Sequence, residues 1–399
     1  MYPHFFVQAQ DRDLPGRTMV NKLRLGVIGC GSVVREIYQH LYFASEYSSF
    51  IEVAAIADPS EETLRQFGDA HDIPQRARFK DHRELLKEAE LDAVMVNTPD
   101  HLHAGPALLA MDKGLDVLVP KPTADNLEDI RSMIEAAQRT GRVLAVDYHK
   151  REDPRIKEAK ARYEEGRYGP FQTAVFYMID KLMVADPNHE PRFFVSSDFA
   201  SRNTPVSFLT VHMCDAFLNI VTEKPLTVRA TGFKQKLPAL SPIPVDGYDL
   251  VDTEIRFETG ALCHIITGWA LPNTAHANTV QSARIVCRDG LIDLGLDTPG
   301  YREIVDEGIV ERNPLFRNFE PEGTVSGYGI SSPGKLLRLI WRHRQGLLEE
   351  SALKSLLNPY ASGFYTTAVL CAAHESLDSG STTDTGVVLG LDKEVQAIC

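Results

Sequence analysis

Between Lys22 and about Lys150 the chain alternates short, wholly apolar runs with segments whose apolar residues recur every three or four positions. The runs are LRLGVIG, IEVAAIAD, DAVMVNT, DVLV and VLAVD; the helix-period segments are Ser32 to Tyr42, Glu61 to Gly68, His101 to Lys113 and Asn126 to Thr140. Strands apolar on both faces are strands covered on both faces, and their alternation with helices predicts βαβ units around a parallel sheet. In the first helix Val33, Ile37 and Leu41 fall at i, i+4 and i+8, which predicts the stripe that lies against the sheet and a helix start near Ser32. After Pro154 the period changes. One helix, Ile156 to Glu165, precedes strands at TAVFYM, LTVRATGF, LVDTEIRF, ALCHIITG, SARIVC and GLIDL, whose alternation and Gly-bearing turns predict an antiparallel, half-exposed sheet. The tail from Leu353 to Gly380 is helical in character.

This pattern predicts an α/β protein in three parts: an N-terminal extension over 1–21, a parallel-sheet domain over 22–150, and a mixed α/β domain over 151–399 with a large, mainly antiparallel open sheet. At 399 residues and 43% hydrophobic content the chain is long enough for two cores. A net charge of −13 argues against nucleic acid or an anionic membrane as the main partner, because phosphates are held by clustered Lys and Arg. The 6 cysteines have no CxxC or other metal-type spacing, which reads as reduced thiols, no metal and a cytoplasmic setting. The extension mixes Pro, Asp, Arg and Gln and supports neither a signal peptide nor a membrane anchor.

The string GVIGCGSVVREI supplies strand, tight turn and helix start in the order that a dinucleotide pyrophosphate needs. Gly29, Cys30 and Gly31 make the turn, and Ser32 and Val33 open the helix; Val34 stands where a third small residue is usual. The next strand ends in IADPS, placing Asp58 where a carboxylate accepts hydrogen bonds from the adenosine ribose and repels a 2′-phosphate, which favours NAD over NADP. Asp58-Pro59-Ser60 also suits a helix cap, and the residues alone leave both readings open.

With NTPDHLH, the Lys-Pro turn at Lys121, YHKREDP, VHMCD and DLVDTEIRFETGA in view, the chain resembles the Gfo/Idh/MocA oxidoreductases, the glucose-fructose oxidoreductase and inositol dehydrogenase group, from about Leu23 to Gly380. The resemblance implies a Rossmann domain at 22–150, a substrate-binding and oligomerisation domain at 151–399, homodimers or homotetramers, and oxidation or reduction of a secondary alcohol or ketone in a sugar, sugar derivative or cyclitol. It implies that Asn97, Thr98, Pro99 and His101 line the nicotinamide half of the cofactor, that Lys121 touches both cofactor and substrate, and that His149, Lys150, Arg151, His212 and Asp215 face the substrate. Two carboxylates usual in the family are missing: Pro120 replaces the Glu before Lys121, and Phe208 stands one helical turn before His212 in place of an Asp.

Oxidising a secondary alcohol needs a base near neutral pKa within hydrogen-bond reach of the hydroxyl. The first assignment makes His212 the general acid/base and Lys121 the donor to the reacting oxygen, with exchange of the two roles left open. A core or capping role for His212, on an apolar helix, is the competing reading. Tyr148, Lys181, Arg202, Asn203 and Tyr301 are further polar residues within plausible reach. Phe208 predicts an apolar wall, hence a substrate with fewer hydroxyls or an aglycone on that side. Two other readings remain: an enzyme that retains NAD and uses transient oxidation for elimination, glycoside cleavage or epimerisation, and a non-catalytic dinucleotide or sugar sensor.

Overall fold

The computed structural model describes residues 21–194, 198–297, 302–305, 308–311 and 313–384. The N-terminal extension up to residue 20 and Tyr301 lie outside them. Six strands form the first sheet: β1 (Leu23–Ile28), β2 (Ile51–Ala57), β3 (Arg78–Phe79), β4 (Ala93–Val96), β5 (Asp116–Pro120) and β6 (Leu144–Asp147). They pair in parallel in the order β3-β2-β1-β4-β5-β6, so the direction of winding reverses between β1 and β4. In such sheets ligands bind at the carboxyl edge where the order reverses. Every residue of β4 is buried, as the unbroken apolar run AVMV requires.

The helices that cover this sheet are α1 (Gln39–Phe43), α2 (Glu61–Ala70), α3 (His82–Glu88), α4 (Ala104–Asp112) and α5 (Leu127–Thr140). A π-helical turn, Val34–Tyr38, precedes α1, and it corrects the expected stripe. The wider turn advances the register, so Val34, Tyr38, Leu41 and Tyr42 are buried against the sheet while Val33 is 37% exposed. Ile37 is only half-buried. Helix start at Ser32 is as expected.

α6 (Pro154–Glu164) leads into the second sheet: β7 (Phe171–Lys181), β8 (Pro225–Phe233), β9 (Leu250–Phe257), β10 (Leu262–Leu271), β11 (Thr279–Cys287) and β12 (Leu291–Gly295). Together with the short strand Thr383–Asp384 they run in the order β12-β11-β7-β10-β9-β8 and then that strand. One pairing departs from the antiparallel expectation, since β7 and β10 are parallel. A parallel pair needs a long crossover, and the chain between them supplies it through α7 (Phe199–Arg202), α8 (Val211–Val221) and the β8-β9 hairpin. In β9 the residues alternate between buried and partly exposed, so one face packs against α8 and α11 (Phe364–Ser379).

A helix absent from the sequence reading, α9 (Tyr328–Arg344), returns to the first domain. Its first half, YGISSPG, reads as punctuation because Gly, Ser and Pro there break a helical pattern. In the fold those small residues permit close approach: a Cβ on Gly334 would lie 2.5 Å from the Tyr47 ring. Ile330, Leu337 and Ile340 of α9 are buried with Leu25, Val27 and Ile56, each such side chain contributing about 1.5–3 kcal/mol. Short α10 (Glu350–Leu356) precedes α11, and a break over 357–363 divides the expected helical tail. Among the described residues 5 cysteines are free, and no helix is long and apolar enough to cross a membrane.

Candidate active site

The carboxyl edge of the first sheet carries the glycine turn. Gly29 has φ +86, a conformation that strains any side-chain-bearing residue, and a Cβ there would stand 2.6 Å from the Asn97 carbonyl oxygen. Beside Gly31 a Cβ would meet nothing within 4 Å. Ser32, Val33, Glu36 and Ile37 line a cleft of about 420 Å³ that runs from this turn, past Asn97 and Thr98 after β4, to the second domain. Asn97 Oδ1 and Thr98 Oγ1 are buried without a hydrogen-bond partner among the described residues. A buried polar atom costs free energy unless a ligand or water satisfies it, so turn and edge together fit a dinucleotide.

Asp58 is half-buried and already engaged. One carboxylate oxygen accepts from the Cys30 N–H at 2.9 Å, and the other from the Ser60 N–H at 2.9 Å. Ser60 is the residue that caps α2, through the Thr63 N–H. Each carboxylate oxygen has a second lone pair, so Asp58 retains acceptor capacity for ribose hydroxyls. The Cys30 side chain points into the core, where burial raises its thiol pKa.

Where the chain turns through Asp100–Leu102 in a 3₁₀ turn, successive side chains point about a third of a turn apart. Asp100 therefore faces the cleft, while Pro99 and His101 are exposed and do not line it. The buried histidine of this motif is His103, whose ring nitrogens bridge the Thr98 carbonyl at 3.0 Å and the Pro122 carbonyl at 2.9 Å. It ties the end of β4 to the cis Lys121-Pro122 turn.

Lys121, His149 and His212 line the cleft together, from the turn after β5, from the turn after β6 and from α8. Lys121 Nζ donates to the Phe208 carbonyl at 3.0 Å and lies 4.9 Å from the centre of the Phe208 ring. Burial lowers its pKa to about 8, opposed by Asp100 and then Asp180. These two carboxylates are the negative charges that favour the Lys121 ammonium. Asp180, near the end of β7, is 8% exposed, with Oδ1 unpartnered among the described residues. Burial raises its pKa to about 6 against Thr279, Lys150 and Lys121. Asp100 is likewise raised by burial against Lys121.

The rings of His149 and His212 lie 4.9 Å apart. Burial, then Lys150 and Lys121, lower His149 to about 3; burial, then Lys121, His149 and Lys150, hold His212 well below its ordinary value. Both imidazoles are neutral at physiological pH.

Two residues expected at the substrate sit elsewhere. Lys150 is 3% exposed, donates to Gln281, and does not line the cleft. Asp215 is 2% exposed and forms a two-pronged ion pair with Arg151, at 2.9 and 2.5 Å. Arg151 also binds the Ala361 and Tyr360 carbonyls, so this pair fixes α8 to the 357–363 break. A carboxylate already matched to a guanidinium fork has little left to offer a substrate. A second cavity, about 620 Å³, opens behind Arg151, but Lys160 and Lys354 on its wall are paired with Asn219 and Glu350. Of the other polar candidates Asn203 lines the cleft, Tyr148 is buried beneath the Arg151 guanidinium, Lys181 is half-buried, and Arg202 is ion-paired with Asp198.

Asp147 was not anticipated. It lines the cleft and accepts from Tyr38 Oη at 2.8 Å and Ser332 Oγ at 2.6 Å, joining the π-turn to α9. Burial raises its pKa to about 6. Nothing in the local sequence marks Asp147 or Asp180, since each owes its role to distant strands and helices.

Fold and cleft define the class: a Rossmann dinucleotide-binding protein with a second, open-sheet α/β domain closing the cofactor cleft. Residues 23–148 match the family model GFO_IDH_MocA, described as "Oxidoreductase family, NAD-binding Rossmann fold", so the first domain is similar to the nucleotide-binding domain of those oxidoreductases. The chain is 33% identical over 147 residues to a 1-carboxy-3-chloro-3,4-dihydroxycyclohexa-1,5-diene dehydrogenase of Comamonas testosteroni, covering 37% of this chain and 36% of that protein. It is 34% identical over 148 residues to inositol 2-dehydrogenase 2 of Saccharopolyspora erythraea, covering 37% and 42%. The matches thus span about two-fifths of these relatives' length. Over 91% of this chain the fold matches myo-inositol 2-dehydrogenase from Lactobacillus plantarum, covering 99% of that chain at 15% identity and a TM-score of 0.70. It also matches scyllo-inositol dehydrogenase from Lactobacillus casei with bound NAD(H) and scyllo-inositol: 92% of this chain, 100% of that one, 15% identity, TM-score 0.68.

Proposed function

We propose that the chain is an NAD-dependent oxidoreductase of a secondary alcohol or its ketone, in a sugar, sugar derivative or cyclitol. The observation that carries this reading is the convergence of Lys121, His149 and His212 on one cleft that Ser32 and Val33, the residues directly after the glycine turn, also line. The named activities of the matched relatives, among them inositol and D-glucoside dehydrogenases, support the substrate class. Gly29, Gly31, Ser32 and Val33 would hold the pyrophosphate, Asp58 the adenosine ribose, and Asn97 and Thr98 the nicotinamide half. Bound there, NAD supplies a hydride acceptor and its reduced form a hydride donor.

The electrostatics favour exchanging the first assignment of proton roles. Proton transfer is most efficient from a group titrating near the working pH, and Lys121 at about 8 meets that condition whereas His212 does not. In oxidation, neutral Lys121 takes the hydroxyl proton; in reduction, its ammonium returns it. His212, neutral throughout, hydrogen-bonds the reacting oxygen and orients it. Asp100 and Asp180 stabilise the ammonium that oxidation creates.

The test follows reduced-nicotinamide absorbance with the purified chain, NAD and a panel of inositols, hexoses and glycosides. We expect turnover on at least one member, with Lys121→Ala and His212→Ala each lowering it by more than tenfold. Turnover within a few fold of wild type in both variants overturns the reading.

A further inference from the structure

The wall of the cleft facing the polar groups is made of phenylalanine. Phe193 and Phe194 come from the loop after β7, Phe199 from α7 and Phe208 from the π-helical turn Val206–Thr210 before α8. Their rings form one assembly. Phe194 and Phe199 stack with centres 4.0 Å apart, and Phe208 meets them edge-on at 5.7 and 5.1 Å. Phe193 adds a further edge contact to Phe194 at 5.0 Å, and the buried Trp269 backs Phe199 at 5.9 Å. Across the cleft Phe316 packs edge-on to Tyr328 at 5.2 Å and against His149 at 5.5 Å.

Among the described residues this wall offers little hydrogen bonding: the polar side chain lining it is Asn203, which gives one amide N–H to the Phe199 carbonyl at 2.9 Å. Phe193 nevertheless remains 44% exposed, an apolar surface that something of matching character would cover. An unsubstituted cyclitol or hexose bears a hydroxyl on nearly every carbon, and those turned to this wall would lose water without gaining a partner. A flat ring loses nothing there, and it extends the stacked and edge-to-face pattern that the phenylalanines already make among themselves. An alkyl chain would gain the burial but not the ring pairing.

We infer that the substrate carries a planar aromatic group beside its reacting carbinol, seated on Phe193, Phe194, Phe199 and Phe208 while the hydroxyl reaches Lys121 and His212. The substrate class is thus an aryl-substituted polyol, such as an aromatic glycoside, rather than a free sugar. This inference rests on the proposed oxidoreductase activity for its catalytic reading but not for its binding reading.

The experiment uses the full chain with saturating NAD and three ligands that differ only in aglycone: phenyl, methyl and octyl β-D-glucopyranoside, with free glucose and myo-inositol as references. Binding by calorimetry and kcat/KM by absorbance are read separately. Phenyl glucoside is expected to exceed the methyl compound by at least tenfold in both. Phe193→Ala, at an exposed position, and Phe194→Leu are expected to shrink that phenyl-to-methyl ratio several-fold, with circular dichroism checking the fold. Tenfold tighter binding of the phenyl compound without turnover of any ligand keeps the aromatic subsite and overturns the proposed activity. Equal phenyl and methyl values, preference for a free polyol, or a superior octyl compound overturns the aromatic inference.

Discussion

If Lys121 moves the proton as proposed, replacing Asp180 by Asn should move the pH profile of turnover toward acid. A lysine at its ordinary value near 10.5 is neutral in only about 0.03% of molecules at pH 7, whereas at about 8 the share is roughly 10%, a gain of about 300-fold in base-competent molecules. Burial produces that shift, and Asp100 and Asp180 restrain it by favouring the ammonium. The oxidative rate should therefore rise with pH, level off above about 8, and mirror this in the reductive direction, where the ammonium is needed. Removing the Asp180 charge takes away one restraint, so the inflection falls below the wild-type value. Asp100→Asn should act in the same sense. The assay is kcat/KM across pH 5.5 to about 10 in both directions, with a substrate from the panel above, and with Lys121→Met as the control expected to lose about 10²–10⁴-fold. An inflection that stays put or rises in Asp180→Asn, or one that persists in Lys121→Met, assigns the proton to another group and refutes the scheme.

Gly29→Ala places a side chain at φ +86 and 2.6 Å from the Asn97 carbonyl oxygen, so it should cost about 1–3 kcal/mol of stability and weaken dinucleotide binding, as thermal melting and fluorescence titration will show. An unchanged NAD affinity would remove the turn from the cofactor site. Asp58→Ser should weaken NAD and spare NADP, measured as the ratio of dissociation constants; an unchanged ratio would leave Asp58 only its bonds to Cys30 and Ser60.

The sequence by itself determined most of the first domain. Its strands are apolar throughout because both faces are covered, the glycine turn is local chemistry, and Gly29, Ser32, Val33, Asn97 and Lys121 can be read from strand ends because a strand end in a parallel sheet already lies at the binding edge. The alternating strands of the second domain were legible for the same reason of period, including β9 at LVDTEIRF. What period cannot express is which distant segments meet. It misplaced the first helical stripe, because one π-turn shifts every following side chain around the axis. It gave no sign of α9, whose small residues look like a loop until Tyr47 is seen filling the space beside Gly334. Asp215 looked like a site residue until its burial against Arg151, and His101 until the 3₁₀ turn pointed Asp100 inward instead. Asp180 and the phenylalanine wall come from strands and loops separated by many residues from Lys121. Phe208 alone announced an apolar wall in the sequence; its assembly with Phe193, Phe194 and Phe199, and the carboxylates that surround Lys121, are decided by tertiary contact.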